Sequence, residues 1–161
     1  MEFIQKFRSD AEEKAKEYLK LKWTQVILNS IVILMASGIL GFSLFNRIDL
    51  EFGEWIEKSD HWKPFWISIY LVLGSFILII LSNLLSIYGA IYQDGFLMQL
   101  SNFLLTLSIL LELLPSYAIF HWDPVWTGIG LVFIIIGFCQ LILSWKILSF
   151  FSDVFDKFKT Q

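Results

Sequence analysis

With 57% hydrophobic and 17% aromatic residues, a chain of 161 residues is too apolar to be a soluble domain of its size, and its mean hydropathy of +0.67 makes the bilayer its natural solvent. The single cysteine, Cys139, excludes an internal disulfide and a thiolate zinc cluster within the chain. The net charge of −3 matters less than where the charges lie.

The chain opens on an amphipathic helix that runs into the first span. Phe3, Phe7, Ala11, Ala15, Tyr18 and Leu19 recur at helical spacing, with charges on the other face. Ser9-Asp10-Ala11-Glu12 fits a capping box, which predicts a continuous helix from about Asp10. Lys6, Arg8, Lys14, Lys16, Lys20 and Lys22 make this segment basic, with Lys14, Lys16, Lys20 and Lys22 nearest the membrane surface. It reads as a cytoplasmic extension of the first span, with a membrane-surface helix or a docking face as the functional alternative.

Four continuous apolar runs follow, at 23–45, 65–92, 96–120 and 126–150. Each meets the ~20 residues that a membrane helix needs. Only helices or closed barrels satisfy every backbone group in lipid, and continuous rather than alternating runs select helices. The expected fold is an all-α integral membrane protein of four antiparallel transmembrane helices, with amphipathic N- and C-terminal extensions and no second domain. The first run is too long, and too poor in small residues at a cleavage position, for a signal peptide.

Between the first two runs, Ile48, Leu50 and Phe52 alternate with Asp49 and Glu51, a weak strand signal, and acidic residues outnumber Arg47, Lys58 and Lys63. Pro64 suits the first turn of the second helix. Gln93-Asp94-Gly95 leaves almost no room between the second and third runs and predicts a tight hairpin. HWDPVW joins the third to the fourth equally tightly, with Asp123-Pro124 as turn signal. The tail repeats the amphipathic theme with Phe151, Val154, Phe155 and Phe158, beside Lys146, Lys157 and Lys159. Basic ends and an acidic first connection place both termini in the cytoplasm of a multi-pass cell-membrane protein. Small residues (Ala36, Ser37, Gly38 and Gly41; Gly74, Ser75, Ser82, Ser86 and Gly89; Gly128, Gly130 and Gly137) predict close helix packing.

Within these apolar runs stand Asn29, Asn83, Asn102, Glu112 and Gln140. At ~1.5 Å of rise per residue, Glu112 lies ~12 Å inside the outer end of its helix. That depth corresponds to Ser37 and Gly38 on the first span and to Gly74 and Ser75 on the second, so Ser37 or Ser75 is the expected hydrogen-bond partner. With no basic residue at that level, Glu112 is expected as a neutral carboxylic acid, able to donate one bond between helices. An intramembrane acid is a functional candidate by default. Yet no chain of acids or histidines continues from it, which favours interhelical packing over proton transfer. The four amides form an expected second polar layer, with Thr106 and Ser144 nearby.

His61 and His121 fall at the outer surface, so neither serves as an axial haem ligand inside the membrane. A zinc site from His61, His121 and Asp123 is the sharper reading of these residues; ordinary interfacial histidines are the plainer and preferred one. Trp23, Trp55, Trp62, Trp66, Trp122 and Trp126 cluster at the span ends as interface anchors, not as a nucleic-acid stacking platform. No phosphate loop, nucleophile elbow or HExxH motif occurs. The expectation is a non-enzymatic protein with no cofactor, no catalytic or metal residues and no nucleic-acid partner.

An Asn in the first span, a Glu in the third and a Gln in the fourth resemble the tetraspanin pattern. LSIYGAIYQDGFLMQLSNFLLTLSILLE looks like the tetraspanin passage through the inner loop into the third helix, and IGLVFIIIGFCQLILS looks like its fourth. Gly89-Ala90-Ile91 matches the glycine-containing end of the second helix, while Asn29, Glu112 and Gln140 fall on the polar positions. The chain departs from the family between helices three and four, where it lacks the large cysteine-bearing domain and its CCG signature. Neither partner recognition through that domain nor palmitoylation of inner-loop cysteines carries over. The resemblance implies a cone-like bundle that self-associates or gathers other membrane proteins, organising membrane patches or curvature. An accessory subunit of a larger membrane complex, and an ion or proton transporter using Glu112, are the alternatives.

Overall fold

The computed structural model describes residues 1–45, 62–119 and 124–159, with side chains at 1, 4–42, 71, 73–113 and 128–153. Four helices make up these residues: α1 (Glu2–Phe45), α2 (Trp62–Tyr92), α3 (Gly95–Ile119) and α4 (Pro124–Lys159). Each contains a stretch long and apolar enough to cross a membrane, at Ile4–Phe42, Leu73–Tyr92, Gly95–Leu113 and Gly128–Asp153. The described residues form an all-helical structure of the kind an all-α membrane protein has. The strand signal at 48–52 and the trio His61, His121 and Asp123 lie outside the described residues.

The 44 residues of α1 make it ~66 Å long at ~1.5 Å per residue, about twice the ~30 Å of a hydrocarbon core. Residues 4–17 of this helix are exposed throughout. The helix begins at Glu2 and passes through Asp10 without a break, so Ser9-Asp10 is not its cap. The Arg8 guanidinium pairs with Glu12 across that position at 3.3 Å, a spacing that favours the helical path over a cap there.

Each helix packs on the next in the chain, and α4 closes the ring against α1. Contacts recur in reverse order along α2 and α3: Gly89 meets Met98, Ser101 bonds the Ser82 carbonyl, and Ser75 bonds Glu112. Along α1 and α4, Tyr18 packs on Phe150 and Phe151 with ring centroids 6.1 and 5.9 Å apart, and Asn29 meets Gln140.

The α2–α3 hairpin is built from two adjoining caps. Gln93, at φ 57°, takes the left-handed conformation that ends α2. The Asp94 N–H then returns to the Gly89 carbonyl at 2.9 Å, the longer bond of a Schellman ending. Asp94 also caps α3, its Oδ1 accepting from the N–H groups of Phe96 at 2.9 Å and Leu97 at 3.3 Å. One residue thus closes one helix and opens the next. The Lys22 ammonium on α1 reaches the Ile91 carbonyl at 3.5 Å, placing positive charge at the C-terminus of α2.

Small residues divide into two groups. A Cβ added at Gly89 would lie 2.6 Å from Met98 Cγ and 3.0 Å from the Met98 backbone nitrogen; one at Gly137 would lie 2.9 Å from Ile109 Cδ1. Ala36, Ser75, Ser82 and Ser86 are buried. Gly38, Gly41, Gly74 and Gly128 meet nothing within 4 Å, and Ser37 is exposed. Among the described residues, the packing expected at these positions is therefore not made.

Candidate functional site

Buried positions on each helix recur every three or four residues and mix apolar with polar side chains. On α1 they are Gln25, Asn29, Val32 and Ala36; on α4 they are Phe133, Ile134, Gly137, Gln140, Ser144 and Ile147. Helical periodicity brings these stripes together on the bundle axis. Since lipid accepts apolar side chains as readily as a protein core does, it is the polar groups that mark the inward face.

Glu112, 2% exposed, forms the polar layer farthest from the α2–α3 hairpin among the described residues. The Ser75 hydroxyl donates to its Oε1 at 3.1 Å. Ser37, the other candidate partner, is exposed on α1. The next layer lies eight residues along α2, ~12 Å away. There the Gln140 Nε2 group donates to Asn29 Oδ1 at 2.8 Å and to Asn83 Oδ1 at 2.5 Å, joining α1, α2 and α4. Asn83 in turn donates to the Ile79 carbonyl at 2.7 Å. Asn102 borders this layer half-buried, while Thr106 is exposed and donates to the Asn102 carbonyl.

Gln25, about one turn further along α1, was not singled out by the sequence reading. Its Nε2 donates to Ser86 Oγ at 2.7 Å. The missed signal was its spacing, four residues before Asn29 on the same helical face. The Gln25 Oε1 acceptor and the Asn29 Nδ2 donor are both buried without a hydrogen bond among the described residues, as is Ser144 Oγ. The amides pack with no space between them for a water-sized sphere.

Between Glu112 and the amides lies an apolar cluster of Val32, Ala36, Phe76, Ile79 and Phe133. Phe76 and Phe133 meet edge-to-face, with centroids 5.1 Å apart and planes at 84°, a geometry worth ~0.5–1.5 kcal/mol beyond its area. This cluster separates the two polar layers along the axis. The arrangement can fix the relative rotation of four helices; as it stands it offers no hydrogen-bonded route from Glu112 to the amides among the described residues. Of the surface lysines, Lys14, Lys16 and Lys20 are exposed and Lys22 is half-buried beside α2.

Substitutions at Glu112 separate a packing role from an ionic one. Glu112→Gln retains a group that can bond Ser75 and should unfold within ~0.5 kcal/mol of the wild type, while Glu112→Leu should lose roughly 0.6–1.7 kcal/mol. Unfolding in mixed detergent micelles, followed by tryptophan fluorescence, measures both. Equal stability of all three proteins would contradict a packing role.

Comparison with protein-family models, with curated proteins and with solved structures found no match to the chain.

Proposed function

We propose that the chain is a non-enzymatic, tetraspanin-like scaffold of the cell membrane. Four antiparallel spans would place both basic termini in the cytoplasm. The bundle self-associates or gathers other membrane proteins, and so organises membrane patches or curvature. The observation that carries this reading is the partition of its surfaces. Gln25, Asn29, Asn83, Glu112 and Gln140 turn inward and bond side chains of neighbouring helices, while all four helices present large apolar side chains outward, among them Ile31, Leu81, Phe103 and Phe138. Such a body makes its contacts laterally, by van der Waals packing in lipid.

Reconstitution into liposomes tests this. Labelled protein should show energy transfer between copies at high lipid dilution, or partition preferentially into small, curved vesicles. Absence of both behaviours would remove the main support for a scaffold.

The exposed N-terminal part of α1 favours a second reading, an accessory subunit that docks this helix on a cytoplasmic partner. Extraction in mild detergent distinguishes the two: a complex of fixed stoichiometry with unrelated chains identifies the subunit. Ion or proton movement through Glu112 is the third reading. It requires a flux that Glu112→Gln abolishes, whereas a scaffold gives leak-level flux with either side chain.

A further inference from the structure

At the end of the bundle where Tyr18 packs on Phe150 and Phe151, the surfaces of α1 and α4 part to leave a shallow, open groove of about 560 Å³. Glu17 and Leu21 form one wall; Ile142, Trp145, Lys146 and Ser149 form the other. Its level in the membrane follows from the helix pairing. Asn29 faces Gln140, and Tyr18 faces Phe150, so Lys146 stands level with Lys22 and Trp23, at the membrane surface expected from the sequence. The groove therefore opens sideways, into lipid headgroups at one end and acyl chains at the other.

Its two charges have no protein counterpart. Among the described residues, neither Glu17 nor Lys146 joins an ion pair or a hydrogen bond. Lys146 is also the sole charged residue of α4 between Gly128 and Ser152. Trp145 beside it is 67% exposed, an aromatic plate at interface depth. A lysine stem lying along apolar neighbours carries its ammonium to the phosphate level. An acidic side chain across the groove then calls for a ligand bearing both signs of charge.

We infer that this groove binds a phospholipid with a primary-amine headgroup, phosphatidylethanolamine. Its phosphate rests on the Lys146 ammonium and the Ser149 hydroxyl beside Leu21, its amine on the Glu17 carboxylate, and its acyl chains along Ile142. The site favours this headgroup for reasons of charge and hydrogen bonding. Phosphatidylcholine carries a quaternary ammonium with no N–H to donate to Glu17. Phosphatidylglycerol brings no cation and leaves that carboxylate facing a net anion. The inference needs only membrane placement, and stands whether or not the bundle clusters.

The full chain, incorporated in nanodiscs of equal parts phosphatidylethanolamine, phosphatidylcholine and phosphatidylglycerol, then moved to detergent, tests it by native mass spectrometry of the retained lipid. Wild type should retain phosphatidylethanolamine over phosphatidylcholine by about threefold, the scale of one exposed charged contact. Glu17→Gln should bring that ratio near unity, and Lys146→Gln should lower retention of both lipids. Both side chains are exposed, so the melting temperatures of the variants should match the wild type and show that loss of lipid is not loss of fold. Absence of the preference in wild type, its persistence in Glu17→Gln, or a preference for phosphatidylglycerol would each overturn the assignment.

Discussion

Alanine at Gly89 should destabilise the bundle by ~1–2 kcal/mol, although alanine is the better helix former by ~1 kcal/mol. The new methyl group would lie 2.6 Å from Met98 Cγ, which can swing away, but also 3.0 Å from the Met98 nitrogen and 3.2 Å from the Asp94 carbonyl oxygen, which cannot. Those two backbone atoms belong to the capped turn that joins α2 to α3, and Asp94 fixes both sides of it. Relief therefore requires the hairpin itself to open. Gly137→Ala supplies the graded comparison: its methyl group meets the tip of the Ile109 side chain, so the loss should be smaller. Gly38→Ala, with nothing within 4 Å, should gain ~0.5–1 kcal/mol from helix propensity alone. Unfolding midpoints in mixed micelles read the series directly. Equal stability of Gly89→Ala and Gly38→Ala would show that the close approach at Gly89 does not constrain the hairpin.

The same glycines mark the limit of what the sequence reveals. Length and apolar content were enough to locate four spanning helices, because those requirements come from the solvent and do not depend on the neighbours. The hairpin at Gln93-Asp94 was legible too, since capping chemistry is local. Which glycines pack against a neighbour was not. Gly38, Gly41 and Gly89 carry the same residue-level signal, and the rotation of each helix decides their surroundings. In a water-soluble bundle an apolar stripe would reveal that rotation, but here both the lipid face and the core are apolar. The polar residues carry the information instead. Gln25, Asn29, Val32 and Ala36 share a face, and the two amides four residues apart at its start are the signal that orients α1. Ser37, matched to Glu112 by depth alone, shows why depth is insufficient. It has a suitable level but points away from the axis, whereas Ser75 has both level and direction.

Replacing Gln140 with leucine should cost ~1–3 kcal/mol, the penalty for leaving buried polar groups without their partner. Its Nε2 group serves both Asn29 Oδ1 and Asn83 Oδ1, so one substitution uncouples α4 from α1 and from α2. Asn83 keeps its own bond to the Ile79 carbonyl and so retains its orientation, whereas Asn29 already has a buried Nδ2 without a partner and would lose the bond at its oxygen as well. A double-mutant cycle with Asn29→Ala and Gln140→Ala isolates that contact. The two losses should be less than additive, with a coupling of about 0.6 kcal/mol and at most ~1.7 kcal/mol, the average and the upper limit for hydrogen bonds between membrane helices. Strict additivity would mean that the amide layer is held together by surrounding packing and contributes no specificity of its own. Coupling in that range would assign the layer a particular role: it selects one rotation of α1 and α4. The groove lined by Glu17 and Lys146 depends on that same rotation, since turning either helix would carry one of the two charges out of the groove.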